Sequence, residues 1–226
     1  MKIRKEHLFK VLSDYSERHN LPYIVEVLGT PNSGKTPAIQ AFDKLLKRSG
    51  IRYRIIYEAG SRCKVVDKLS PEFSLWTLNE TISQLLDACT GNYDIILCER
   101  GLFDAICWFG LYYQDQLLGE EEYRIILDYI LLERLINRID CCFIMECSTE
   151  ASLMRENKGN ISNTTGRIVN STVLPKYNYA LAKMIEQHSN RCKKVMRLNT
   201  SDLSLEEANM MFTSMLLSHV ESLCVD

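Results

Sequence analysis

The chain has no CxxC pair, no clustered histidines, no block of one charge and no long apolar segment, and each absence removes a class of function. Its nine cysteines (63, 89, 98, 107, 141, 142, 147, 192 and 224) are odd in number, scattered and set mostly within apolar runs. That pattern predicts buried reduced thiols rather than a disulfide framework. His7, His19, His188 and His219 lie far apart, so no structural zinc site is expected. The 27 basic and 29 acidic residues are interspersed and leave a formal net charge of −2. Such a balance speaks against a dedicated nucleic-acid binder, although it allows a local basic pocket. The opening stretch MKIRKEHLFKVL is charged and amphipathic, which predicts no signal peptide, no membrane span and a cytoplasmic location.

Apolar sequence is plentiful: 46% of the 226 residues are hydrophobic, enough for a substantial core. With no repeat, low-complexity tract or linker, residues 1–226 read as one domain. A helix is expected over about 5–19, where Leu8, Phe9, Val11, Leu12 and Tyr15 recur at helical spacing before Asn20 and Pro22. Strands are expected at 23–28, 51–58, 92–99, 140–147 and 193–199. Between them lie helical patterns at about 35–48, 72–89, 102–117, 120–138, 149–157, 171–189 and 204–222, the last opened by a Ser204/Glu207 capping box. Uniformly apolar strands alternating with helices of ten or more residues predict a three-layer α/β fold, with a five-stranded, mainly parallel sheet and helices on both faces. The polar stretch RENKGNISNTTGR (155–167) reads as a lid over a site at about 155–170.

One motif carries chemistry by itself. Gly29 to Thr36, GTPNSGKT, satisfies G-x-x-x-x-G-K-[ST] and lies between an expected strand and an expected helix. The glycines let backbone N–H groups turn inward around phosphate oxygens, and the helix N-terminus adds a positive dipole. Lys35 can reach the β- and γ-phosphates of ATP, and the Thr36 hydroxyl can ligate Mg²⁺. Pro31, Asn32, Ser33 and Gly34 complete the loop, and Pro37 suits a first helical turn where no N–H is needed.

In a doubly wound sheet, ligands bind beyond the carboxyl ends of the strands. Glu99, after IILC, falls where a carboxylate can hold Mg²⁺. Arg100 beside it can clamp a phosphoryl group or stand as a surface charge. Glu58 ends the second strand and can orient an attacking hydroxyl, pair with Arg62 or Arg100, or both. Asp104 can bind an acceptor hydroxyl or cap its helix. Arg155, Lys158 and Arg167 lie in or beside the lid, where basic groups can neutralise a transferring phosphoryl. Tyr57, Phe73, Trp76, Phe103, Trp108 and Tyr112 can each stack on a base or belong to the core.

A switch GTPase would need Asn-Lys-x-Asp, whereas Asn157-Lys158-Gly159-Asn160 lacks the aspartate and lies well past its strand. An ABC-type ATPase would show an LSGGQ-like signature, which is absent. Together, GTPNSGKT, YEAGSR, CERGLFD and the SLMREN…GRI segment resemble the thymidylate kinase and deoxynucleoside kinase group of P-loop kinases. The resemblance spans about residues 22–200. It departs at Tyr57, Ala59 and Gly101, where that group has Arg, Pro and Ser, and in the extra N-terminal helix. What it implies is an ATP- and Mg²⁺-dependent phosphotransferase acting on a nucleoside, nucleotide or similar small molecule. Lys35, Glu58, Arg100, Arg155 and Arg167 would be catalytic, Thr36 and Glu99 would hold the metal, and Glu58, Arg62, Trp76, Arg100 and Asp104 would bind acceptor. The alternative is a P-loop ATPase that regulates or binds a protein partner. The apolar helices LFDAICWFGLYY and EEYRIILDYILLERLI can serve as core or as a partner or homodimer surface.

Overall fold

The computed structural model describes residues 2–159 and 169–223. Five parallel strands form one sheet in the order β2-β3-β1-β4-β5: β1 Tyr23–Gly29, β2 Tyr53–Ile56, β3 Ile95–Glu99, β4 Cys141–Glu146 and β5 Lys194–Asn199. Their apolar runs are continuous because both sheet faces are covered, which leaves no solvent side for polar alternation. Helices α1 (Lys2–His19), α2 (Lys35–Leu46) and α9 (Leu205–Ser222) close one face, and Val11, Phe42, Phe212 and Leu216 pack on Val25, Leu97 and Phe143. Helices α3 (Pro71–Thr90), α4 (Leu102–Gln114), α5 (Glu120–Ile130) and α8 (Val173–His188) close the other. There Leu78, Leu102, Phe109 and Tyr177 meet Ile24, Leu28, Ile96 and Ile144. The remaining helices are α6 (Glu133–Ile136) and α7 (Thr149–Gly159).

The expected elements are present, with instructive differences. Only Tyr53–Ile56 of the second strand pairs with β3, because the chain leaves the sheet at Tyr57 and turns through a 3-10 segment, Ala59–Ser61. The third strand starts at Ile95 rather than 92, since the buried Asp94 carboxylate accepts from the Arg52 backbone N–H (2.8 Å) and the Ser16 hydroxyl (3.1 Å). The single helix expected at 120–138 is two, broken at Leu131–Leu132. At about 100° per residue an unbroken helix would point Leu135 and Ile136 well away from the face of Ile130, and the break lets all three enter the core.

Helix α4 belongs to the core: it is apolar on every side and packs on α3, α5 and α8. Exposed apolar side chains are spread over the surface, and four of them, Leu117, Ile125, Tyr129 and Leu132, lie on and around α5. Eight cysteines lie among the described residues, all free thiols and six of them buried. No helix among those residues is long and apolar enough to cross a membrane.

Candidate active site

The phosphate loop leaves β1 at the centre of the sheet, between β3 and β4. Gly29 has φ +126°, and a Cβ there would lie 2.0 Å from the Met145 carbonyl oxygen of β4, so only glycine lets the two backbones approach. The loop is held from outside as well. The Thr30 hydroxyl donates to Asn178 (2.8 Å), the Ser152 hydroxyl to the Pro31 carbonyl (2.8 Å) and the Asn32 amide to Glu156 (2.8 Å).

Lys35 is buried inside the loop, donating to the carbonyls of Gly29 (2.9 Å) and Thr30 (2.7 Å). Burial, with the charge of Arg100 behind it, pushes its ammonium down to about 7. A phosphate in the loop would supply the opposite charge that this group is short of. The Thr36 hydroxyl donates directly to the Glu99 carboxylate at the end of β3. One hydroxyl and one carboxylate in contact make a hard-oxygen set suited to Mg²⁺, which commonly takes few protein ligands and completes its shell with water and phosphate.

Arg100 follows with φ +57°, a left-handed conformation costly for a non-glycine residue, while its N–H donates to the Val27 carbonyl (3.0 Å). The guanidinium binds both oxygens of Asp104 (3.0 and 3.1 Å) and Glu58 (3.1 Å). Burial works against its charge, but Asp104 and Glu58 prevail and hold it firmly protonated. Asp104 is 3% exposed and also accepts from Trp108 Nε1 (3.0 Å) and the Tyr177 hydroxyl. It is therefore the hub of a buried network, whereas Glu58 is half exposed and paired with Arg100.

Two cavities meet at these residues. One, about 640 Å³, is lined by Pro31 to Pro37, Glu99, Arg155, Val169 and the turn into α9 at Leu203–Leu205 and Ala208. The other, about 60 Å³, lies between α3 and α4 and is lined by Lys68, Phe73, Ser74, Thr77, Asp104 and Trp108 among others. Glu58 and Arg100 line both. The smaller space holds water rather than a nucleoside base, so an acceptor must displace side chains to enter.

The other expected site residues fall into three groups. Arg62 pairs with Glu80 (3.0 Å) and Trp76 is 37% exposed, and neither lines either cavity. Arg155, on α7, donates to the carbonyls of Asn32 (3.0 Å), Thr200 and Leu203 (3.4 Å), on the wall of the larger cavity beside α9. Arg167 lies outside the described residues, with most of the lid expected at 155–170.

The sequence reading did not single out Glu26, Tyr177 or the α7 side chains Ser152 and Glu156. Glu26 is fully buried in mid-β1 and its carboxylate accepts from the backbone N–H groups of Gly101 (3.0 Å), Phe103 (3.1 Å) and Asp104 (2.9 Å). Burial pushes it up to about 7, against those three bonds. Its one sequence signal is a lone charge inside YIVEVLG.

The five-stranded parallel sheet, the glycine-rich loop on its central strand and the helices on both faces form a fold shared with solved nucleoside and nucleotide kinase structures. Deoxyadenosine kinase from M. mycoides with bound dCTP superposes with a TM-score of 0.66 at 15% identity, covering 86% of this chain and 99% of that one. The same enzyme with bound dATP gives 0.64 at 14%, covering 85% and 98%. Thymidylate kinase from Candida albicans gives 0.60 at 10%, covering 89% and 93%. At such identities the likeness establishes the fold. No family model and no curated protein matches the sequence.

Proposed function

We propose that this chain is an ATP- and Mg²⁺-dependent phosphotransferase that moves a γ-phosphoryl group to a nucleoside or nucleotide. The observation that carries the reading is the Glu58–Arg100–Asp104 set at the junction of the two cavities: an ATPase needs room for a nucleotide and water, whereas these side chains also offer charge and hydrogen bonds to an acceptor. Nucleotide in the phosphate loop draws Lys35 from the carbonyls of Gly29 and Thr30 to the phosphates. Thr36 and Glu99 would hold Mg²⁺, which adds positive charge where the transferring group becomes most negative. Glu58, accessible to solvent, orients the acceptor hydroxyl or phosphate and takes its proton. Arg100 neutralises the phosphoryl group as it crosses between chambers. Arg155 braces the donor cavity beside the α9 turn, and Arg167 is assigned to the lid that excludes water over the phosphates.

Incubation with γ-labelled ATP and a panel of nucleosides, nucleotides and other hydroxyl-bearing metabolites tests this. Label is expected in one acceptor class, and label appearing only as inorganic phosphate for every acceptor would overturn the reading. That second outcome is what a regulatory ATPase predicts, a reading favoured by the exposed apolar side chains around α5, which suit a partner or a second copy of the chain.

A further inference from the structure

Helix α4 begins without a cap of its own. Its N-cap residue is Gly101, which has no side chain to satisfy the first backbone N–H groups. Those groups are buried, and buried donors left unpaired cost about 1 to 3 kcal/mol each. The missing acceptor comes from Glu26 in β1, whose carboxylate takes the N–H groups of Gly101, Phe103 and Asp104. Residues 24, 26 and 28 share the face of β1 that looks toward α4, and Glu26 is the polar one between Ile24 and Leu28. The fit is tight, since a Cβ on Gly101 would lie 2.7 Å from Glu26 Oε2. The carboxylate thus grips the backbone on the C-terminal side of Arg100, while the Val27 carbonyl holds Arg100 N–H from the same strand. Between these two fixings lies Arg100, held at φ +57°.

We infer that Glu26 is a positioning residue: it pins the β3–α4 turn in the strained form that presents Arg100 and Asp104 to the acceptor chamber, without itself touching either substrate. The inference rests on the phosphotransferase reading for its catalytic consequence, but its structural half stands apart from it. The grip accounts for Gly101 and for the charge inside β1 together, since a side chain at 101 would expel the carboxylate and a neutral residue at 26 would leave the turn unpinned. Asp104 from α4 and the thiols of Cys98, Cys107 and Cys142 also face this carboxylate, and none of them can replace its three bonds.

The test is Glu26→Gln, which keeps the shape but turns one acceptor into a donor facing N–H groups, set beside Asp94→Asn. Asp94 is equally buried and also caps backbone, but at the far end of β3. Amide hydrogen exchange in Glu26→Gln should accelerate at least tenfold at Gly101, Phe103 and Asp104 while later α4 amides keep their protection. Acceptor-dependent kcat should fall at least tenfold with nucleotide affinity within twofold of wild type. Asp94→Asn should lose thermal stability to a similar extent and keep its kcat. If Glu26→Gln does not fold, Gly101→Ala carries the test, since it pushes the carboxylate away with Glu26 intact and should give the same exchange and kcat pattern. Unchanged exchange at the three amides, a uniform loss of protection, or a kcat loss no greater than that of Asp94→Asn would overturn the inference. Should the wild-type chain transfer phosphoryl to no acceptor, the kinase reading fails and the exchange arm alone decides whether Glu26 pins the turn.

Discussion

On the donor side, one unbroken stretch from Gly29 to Pro37 makes the phosphate loop, and its cavity of about 640 Å³ stands open. On the acceptor side, Glu58, Ser74, Arg100, Asp104 and Trp108 come from four places in the chain and enclose about 60 Å³. A loop made of backbone has its ligand-binding shape as soon as it folds, since glycine conformations and helix polarity do the work. A pocket made of side chains is held by their mutual bonds, here the Arg100–Asp104–Glu58 set, and must exchange some of them for substrate. Under the proposed function, donor binding and acceptor binding are expected to respond to mutation separately.

The largest effect should break the donor side. Lys35→Ala is expected to lower transfer by about a thousandfold or more, read as kcat with a saturating acceptor, because Lys35 is the buried cation held inside the loop. Glu58→Gln should lower kcat by about a hundredfold yet leave nucleotide affinity within twofold, measured by titration calorimetry; unchanged turnover would remove Glu58 from the mechanism.

A stability measurement sharpens the contrast, because burial moves one group on each side toward neutrality from opposite directions. Lys35 falls from its ordinary 10.5 to about 7, and Glu26 rises from its ordinary 4.5 to about 7. Between pH 4.5 and 7 the folded chain holds the Glu26 proton that the unfolded chain has lost, so this contribution to stability declines as pH rises. Between 7 and 10.5 the unfolded chain keeps the Lys35 proton that the folded chain has lost, so this contribution grows as pH rises. The acid limb is worth about 3 kcal/mol and the alkaline limb about 5 kcal/mol, followed by urea unfolding across pH without nucleotide. Glu26→Gln should flatten the acid limb and Lys35→Met the alkaline one. The smallest effects belong to Arg62→Ala and Trp76→Phe, which should change kcat/KM less than twofold because neither residue lines a cavity.

How much of this could be read beforehand follows the same division. The loop was legible because its function is encoded in consecutive residue types, and the sheet because strands buried on both faces are apolar throughout. Thr36 and Glu99 were expected to share a metal, and the structure brings their side chains into contact. Gly101 and Asp104 could not be explained from their own segment, since the reasons lie in Glu26 and Tyr177. Trp76 and Trp108 were indistinguishable by composition; Trp108 lies one turn after Asp104 on α4 and donates to it, whereas Trp76 lies on α3. The break at Leu131–Leu132 was hidden because its cause is the direction in which Leu135 and Ile136 find the core.

The cap that Glu26 supplies also bears on how the chain assembles. The bonds from Gly101 and Asp104 to Glu26 close loops of 75 and 78 residues, whereas most helix caps are made within a few residues. In water the first N–H groups of α4 can bond to solvent, but once the helix is buried only β1, brought beside β3, supplies their acceptor. A peptide spanning residues 100–116 is expected to be a poor helix in water, for want of its packing. The proposed acceptor chamber thus owes the first turn of its wall to a residue that only the assembled sheet brings near.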